Sequence, residues 1–163
     1  MSNPNILIIT VKKTNNKEDN YCVFGSIDME IILEKGLISE AIVGIFRGKY
    51  SKDNHELIES FTENKIFKDL MHEVIEKYTP HDIYFQKELK RQKNGWIYII
   101  DKRCKDPNGQ VLSHDIIGAF EIKNSKVITY KANKNHHIYT KNGFFILPKN
   151  IEEKLGEIIL SKY

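Results

Sequence analysis

Between Asn94 and Leu147 the chain alternates short apolar runs with polar breaks, the pattern of an antiparallel β-meander. Trp96 to Ile100 is apolar on both alternating faces, which predicts a central strand covered on both sides. Asp106-Pro107-Asn108-Gly109 is a turn, and Ile116 to Lys123 resumes with Ile116, Gly118, Phe120 and Ile122 on one face. Asn124-Ser125 turns into Val127 to Ala132, and Asn133-Lys134-Asn135 breaks the pattern before His136 to Thr140. Asn142-Gly143 is a hairpin signal leading to Phe144 to Leu147, after which Pro148 introduces a closing helix, Ile151 to Leu160.

Upstream, Asn5 to Lys12 and Tyr21 to Phe24 read as strands joined by the polar stretch Thr14 to Asn20. A short helix capped by Asp28 runs to Lys35 and ends at Gly36, followed by a strand from Ala41 to Phe46 and a polar turn over Ser51 to His55. Glu63 to Tyr78 is the strongest helix: Ile66, Phe67, Leu70, Met71, Val74, Ile75 and Tyr78 share one face, with Thr62 as N-cap and Pro80 as the stop. His72 falls on the opposite, charged face and is expected in solvent. His81 to Arg91 fits an edge strand or a second helix. The whole predicts an α+β chain of 163 residues folding as a single domain, 1–163. A mainly antiparallel sheet of about six to eight strands would carry the long helix on one face.

Composition narrows the partners. The net charge is +3, and only Arg47, Arg91 and Arg103 among the 25 basic residues are arginine, so nucleic acid is not an expected partner. The Lys and Asn bias suggests a bacterial, AT-rich source. No apolar run approaches the ~20 residues that span a bilayer, and the first residues lack a basic, apolar leader, so a cytoplasmic protein is expected. Cys22 and Cys104 do not make a disulfide framework or a metal knuckle, and no metal or cofactor fingerprint is present.

A few polar residues could carry chemistry. His136 and His137 are adjacent, so on a strand they point apart and cannot chelate together. Either could act as a general base with Asp115 or Asp101 as its orienter. The blander alternative has one histidine solvated and the other bonded within the Asn133 to Asn135 turn. Ser113-His114-Asp115 contains the residue types of a triad but not its geometry, and suits a loop better. Cys104 lies among Lys102, Arg103 and Lys105, which would favour a thiolate, yet no base is located for it. Arg47 and Arg103 each follow an apolar strand and could together grip a carboxylate or phosphate, or each could pair with a nearby acid, Arg103 for instance with Asp101 or Asp106. The binding candidates are therefore Arg47, Arg103, Asp101 and Asn135, and the catalytic candidates His136, His137, His114 and Asp115.

The absence of a catalytic motif, together with an aromatic-rich meander, favours a non-enzymatic domain of accessory or immunity type that docks another protein on a sheet face or edge. The competing expectation is a small hydrolase or transferase with a His base and an Arg anchor. It requires a histidine and an arginine in one concave pocket.

Overall fold

Two antiparallel sheets and a small ribbon divide the strands of residues 6–48 and 60–163, which are those the computed structural model describes. β1 (Ile6–Lys12), β2 (Glu18–Phe24), β3 (Ile42–Arg47) and β4 (Phe61–Glu63) form the first sheet in that order. β5 (Gly95–Ile100), β6 (Ile116–Lys123) and β7 (Lys126–Ala132) form the second, and β8 (Tyr139–Thr140) pairs with β9 (Gly143–Phe144). The described helices are α1 (Met29–Lys35), α2 (Lys65–Tyr78), α3 (Ile83–Gln92) and α4 (Lys149–Ser161). The class is α+β, as the patterning predicts, with the strands shared among three sheets rather than gathered in one. Among the described residues no helix is long and apolar enough to cross a membrane. The polar turn expected over Ser51 to His55 lies outside the described residues.

Helix α2 binds the sheets together. Its buried stripe is Phe67, Met71, Val74 and Ile75. Phe67 meets Phe24 of β2 at 5.6 Å and Phe145 at 5.8 Å between ring centroids. Its other side reaches the second sheet, where His72 Nδ1 lies 2.7 Å from the Tyr130 hydroxyl. His72 is thus half-buried, not solvated as the charged face suggested. Tyr130 fits there because Gly118, diagonal to it across the β6–β7 ladder, has no side chain: a Cβ at that position would lie 2.1 Å from the phenol oxygen.

The helix begins two residues later than Thr62 capping would give. Phe61, Thr62 and Glu63 are drawn into β4, pairing with Phe46, Ile45 and Gly44. Asn64 becomes the N-cap, accepting from Ile66 N–H, while its amide donates to the Ser39 and Ile42 carbonyls. One side chain therefore both caps α2 and ties it to the start of β3.

His81 to Arg91 resolves as a helix. Asp82 accepts from Tyr84 and Phe85 N–H, and Phe85 and Leu89 face inward. Phe85 packs on Phe120 of β6 at 5.0 Å. The packing leaves β5 at the edge of its sheet, with β6 its one strand partner among the described residues and the Gln92 amide donating to the Trp96 carbonyl at 2.8 Å, where its double-faced apolar pattern predicted a central position. Ile97 and Ile99 face the core, while Trp96 and Tyr98 point outward, half-covered by amphipathic packing such as Lys131 over the indole ring at 5.5 Å.

Candidate functional site

Where β5 ends, the chain buries its most polar cluster. Asp101 and His136 are fully buried, and the Arg103 side chain is 6% exposed. The Asp101 carboxylate is bonded on both oxygens. Oδ1 accepts from the N–H groups of Arg103 at 2.9 Å and Ile146 at 3.0 Å. Oδ2 receives Arg103 Nη2 at 2.7 Å and lies 2.7 Å from His136 Nε2. The guanidinium also donates to the carbonyls of His137 at 2.7 Å and Gly143 at 2.8 Å, and to Thr140 Oγ1 at 3.3 Å. These bonds lace the end of β5 to the 136–146 segment, including the β8–β9 ribbon.

Electrostatics set the protonation states. Burial would raise the Asp101 carboxyl, but hydrogen bonds from His136 and Arg103 and the adjacent guanidinium hold it below its ordinary value. Burial pushes His136 below the ordinary imidazole value, outweighing the upward pull of Asp101. The neutral ring then carries its proton on Nε2, donating to Asp101, and its Nδ1 lone pair has no partner. With that tautomer the 3.3 Å approach of Arg103 Nη2 to Nε2 sets donor against donor, so it is a contact and not a bond.

Lys68 of α2 caps the same segment from the far side, donating to the His136 carbonyl at 3.0 Å and to Glu63 at 2.8 Å. Glu63 Oε1 in turn accepts from Ile138 N–H at 2.7 Å. Burial works against this carboxylate too, and its bonds to Lys68 and Ile138 bring it below the ordinary value.

The remaining candidates lie elsewhere or at the surface. His137 points outward on the opposite side from His136, 3.6 Å from Glu63. His114 is half-exposed and 3.7 Å from Asp115. Ser113 to Asp115 is a single 3-10 turn whose Asp115 carbonyl accepts from Asp101 N–H at 2.7 Å. Asn135 bonds within its turn, to Asn133 and Ser113, while the Asn133 amide anchors the turn to the Ser113 and Ile116 carbonyls. The blander expectation for the histidine pair holds for the backbone: His137 is the solvated one, and His136 N–H donates to the Asn133 carbonyl at 3.2 Å within the turn. Tertiary packing supplies the partner of the His136 ring, Asp101 just beyond β5. Arg47 and Arg103 do not combine. Arg47 ends β3 of the other sheet and lines a concavity of about 550 Å³ with Lys13 and Lys17 of the β1–β2 hairpin.

A groove of about 290 Å³ runs between α3 and β5. Ile97, Tyr98, Ile99 and Ile100 all line it. Successive residues of a strand point to opposite faces, so a groove touching four in a row lies along the strand's edge. Its other walls are Phe85 and Tyr84 of α3 and Pro148, Asn150 and Ile151 at the start of α4. Tyr84 and Tyr98 stand at the surface, 76% and 52% exposed. Neither this groove nor the Arg47 concavity is lined by Asp101, Arg103 or His136.

No family, characterised protein or solved structure matches the chain.

What the two places can do therefore follows from their chemistry. The carboxylate and guanidinium of the buried cluster are already committed to protein partners, and its unpaired ring acceptor, His136 Nδ1, is buried in a residue that lines neither the groove nor the Arg47 concavity. Among the described residues no three His, Cys, Asp or Glu side chains are placed to share a metal ion. The groove has the opposite character: an open strand edge, an apolar wall and exposed aromatic rings. Glu63, Lys68, His72 and Thr79 escaped sequence reasoning. Lys68 and His72 sit on a charged helix face, and Glu63 and Thr79 flank the two ends of α2, where polarity is the norm and carries no signal.

Proposed function

We propose that this chain is a non-enzymatic binding domain that docks another protein along the edge of β5. The groove lined by four successive β5 residues carries this reading. An edge strand offers unpaired backbone groups to a new strand, and the facing helix α3 supplies a wall for its side chains. Tyr84 and Tyr98, which line the groove, are large aromatic side chains left in water, a composition that favours protein contact. An accessory or immunity-type role in a bacterial cytoplasm fits such a domain, the source resting on the Lys- and Asn-rich composition and the compartment on the lack of an apolar run long enough to span a bilayer.

The hydrolase or transferase reading has less support. It needs an arginine and a histidine facing a common cleft, and the pair that does meet, Arg103 and His136, is buried and bonded inward.

Panning a phage-displayed library of random dodecapeptides against the intact protein tests the proposal. Peptides should be enriched that bind wild type and lose binding to Tyr98→Glu, a surface change that leaves the fold intact. Enrichment of no peptide sensitive to that substitution would overturn it.

A further inference from the structure

The groove is not uniform along its length. Its middle is apolar, formed by Phe85, Ile97, Ile99 and Ile151. Its far end, where β5 finishes, is polar and carries three features that point to one kind of ligand.

Lys102 lines that end with an exposed ammonium, and no ion pair engages it among the described residues. Its backbone is fixed, because Lys102 N–H donates to the Ile146 carbonyl at 2.8 Å. Beside it is the start of α4, a helix of 13 residues whose N-cap, Pro148, offers no side-chain hydrogen bond to the free N–H groups of the first turn. Such a terminus is locally positive. The third feature is independent of both. Thr79, also lining the groove, is 6% exposed, and its hydroxyl has no hydrogen-bond partner. A buried hydroxyl left unpaired is costly, and an occupant that reached it would remove that cost.

Of the acids that line the groove, Asp82 accepts from Tyr84 and Phe85 N–H at the positive start of α3, and Glu88 is bonded to Arg91. Glu152, in the first turn of α4, does not line it. Lys102 is the lining cation, and no acid among the described residues is paired with it.

We propose that the groove takes an extended segment of a partner protein carrying an Asp or Glu side chain at the Lys102 end. An apolar side chain next to that acid fills the Phe85–Ile97–Ile99–Ile151 pocket. This rests on the docking reading above and specifies its partner. The strand edge orders the segment's backbone, the pocket holds its apolar residue, and Lys102, the α4 N-terminus and the Thr79 hydroxyl receive the carboxylate.

The test uses dodecapeptides selected on the intact protein for binding that Tyr98→Glu abolishes, with affinities measured by titration calorimetry. The selected sequences should place an Asp or Glu within two residues of a large apolar residue. Lys102→Glu should weaken them by about tenfold or more, and replacing the peptide's acid by its amide should cost as much against wild type and little against Lys102→Glu. Thr79→Val, which keeps the side-chain shape, should weaken acidic peptides severalfold while leaving the free protein's urea midpoint unchanged or higher. A fall in that midpoint would make the hydroxyl structural and overturn its assigned role. If Tyr98-dependent peptides show no acid preference and bind Lys102→Glu with unchanged affinity, the charge assignment fails and the docking reading stands. If the free protein forms a dimer that Tyr98→Glu dissociates in sedimentation experiments, a second copy occupies the edge and the proposal is overturned.

Discussion

Replacing Asp101 by asparagine isolates the charge in the buried cluster. The amide oxygen can still accept from Arg103 N–H and Ile146 N–H, so the local turn keeps its two backbone bonds. The other position, which now receives Arg103 Nη2 and the His136 Nε2 proton, becomes an NH2 group facing two donors. His136 can escape by moving its proton to Nδ1. Arg103 cannot, because its guanidinium stays charged, with the side chain 6% exposed. Removing one member of a buried ion pair costs about 3–5 kcal/mol, since it leaves an uncompensated charge behind. Against a total stability of about 5–15 kcal/mol, Asp101→Asn should remove about a fifth or more of the folding free energy. Urea unfolding followed by circular dichroism would show a lower midpoint with an unchanged slope. Adding Arg103→Met removes the stranded charge, so the double variant should lose less than the two single losses combined. A loss below about 1 kcal/mol for Asp101→Asn would refute the reasoning, because it would mean the guanidinium is hydrated and the cluster does not hold the 136–146 segment to β5.

The same fold should weaken in mild acid. Burial lowers His72 from the ordinary value of 6.5 to about 4 and also lowers His136, so the folded chain binds fewer protons than the unfolded one; stability is complete above pH ~6.5 and falls as pH drops toward 4. His72 alone contributes on the order of 3 kcal/mol to that loss, and urea midpoints measured at intervals from pH 8 to 4 would record it. Asp101 and Glu63, held below their ordinary values, add a further loss only as pH falls below about 4. Gly118→Ala should cost about 1–3 kcal/mol by forcing Tyr130 from its place beside His72, visible as a lowered melting temperature. Burial pushes the Cys22 thiol up to about 12, so at pH 8 a thiol reagent should label the partly exposed Cys104 and spare Cys22 until urea unfolds the chain.

Local patterning carried the elements but not their neighbours. The stripe of Phe67, Met71, Val74 and Ile75 predicts α2 because periodicity is a property of one segment. Its start was misplaced by two residues because Phe61 to Glu63 pair with β3, a partner distant in sequence. β5 illustrates the same limit. An apolar run with both faces covered looks central, yet one of its faces and its free edge meet a helix, a groove and solvent in place of a second strand. At the buried cluster, sequence reasoning marked Asp101, Arg103 and His136 for their residue types and offered each pairing among alternatives: Arg103 with Asp101 or Asp106, and a histidine with Asp101 or Asp115. The choice is made by tertiary packing, which brings His136, 35 positions away, onto Asp101 within the core. Thr79 gave no signal at all, since a threonine before proline at a helix end is ordinary.

Amide hydrogen exchange along Gly95 to Ile100, recorded with and without a saturating groove-selected dodecapeptide, tests the docking of an extended chain on β5 most directly. Amides already bonded to β6 should be slow in both states, and the alternate amides facing the open edge should slow strongly only when peptide is bound. Unchanged exchange along β5, with protection appearing on another element, would contradict it.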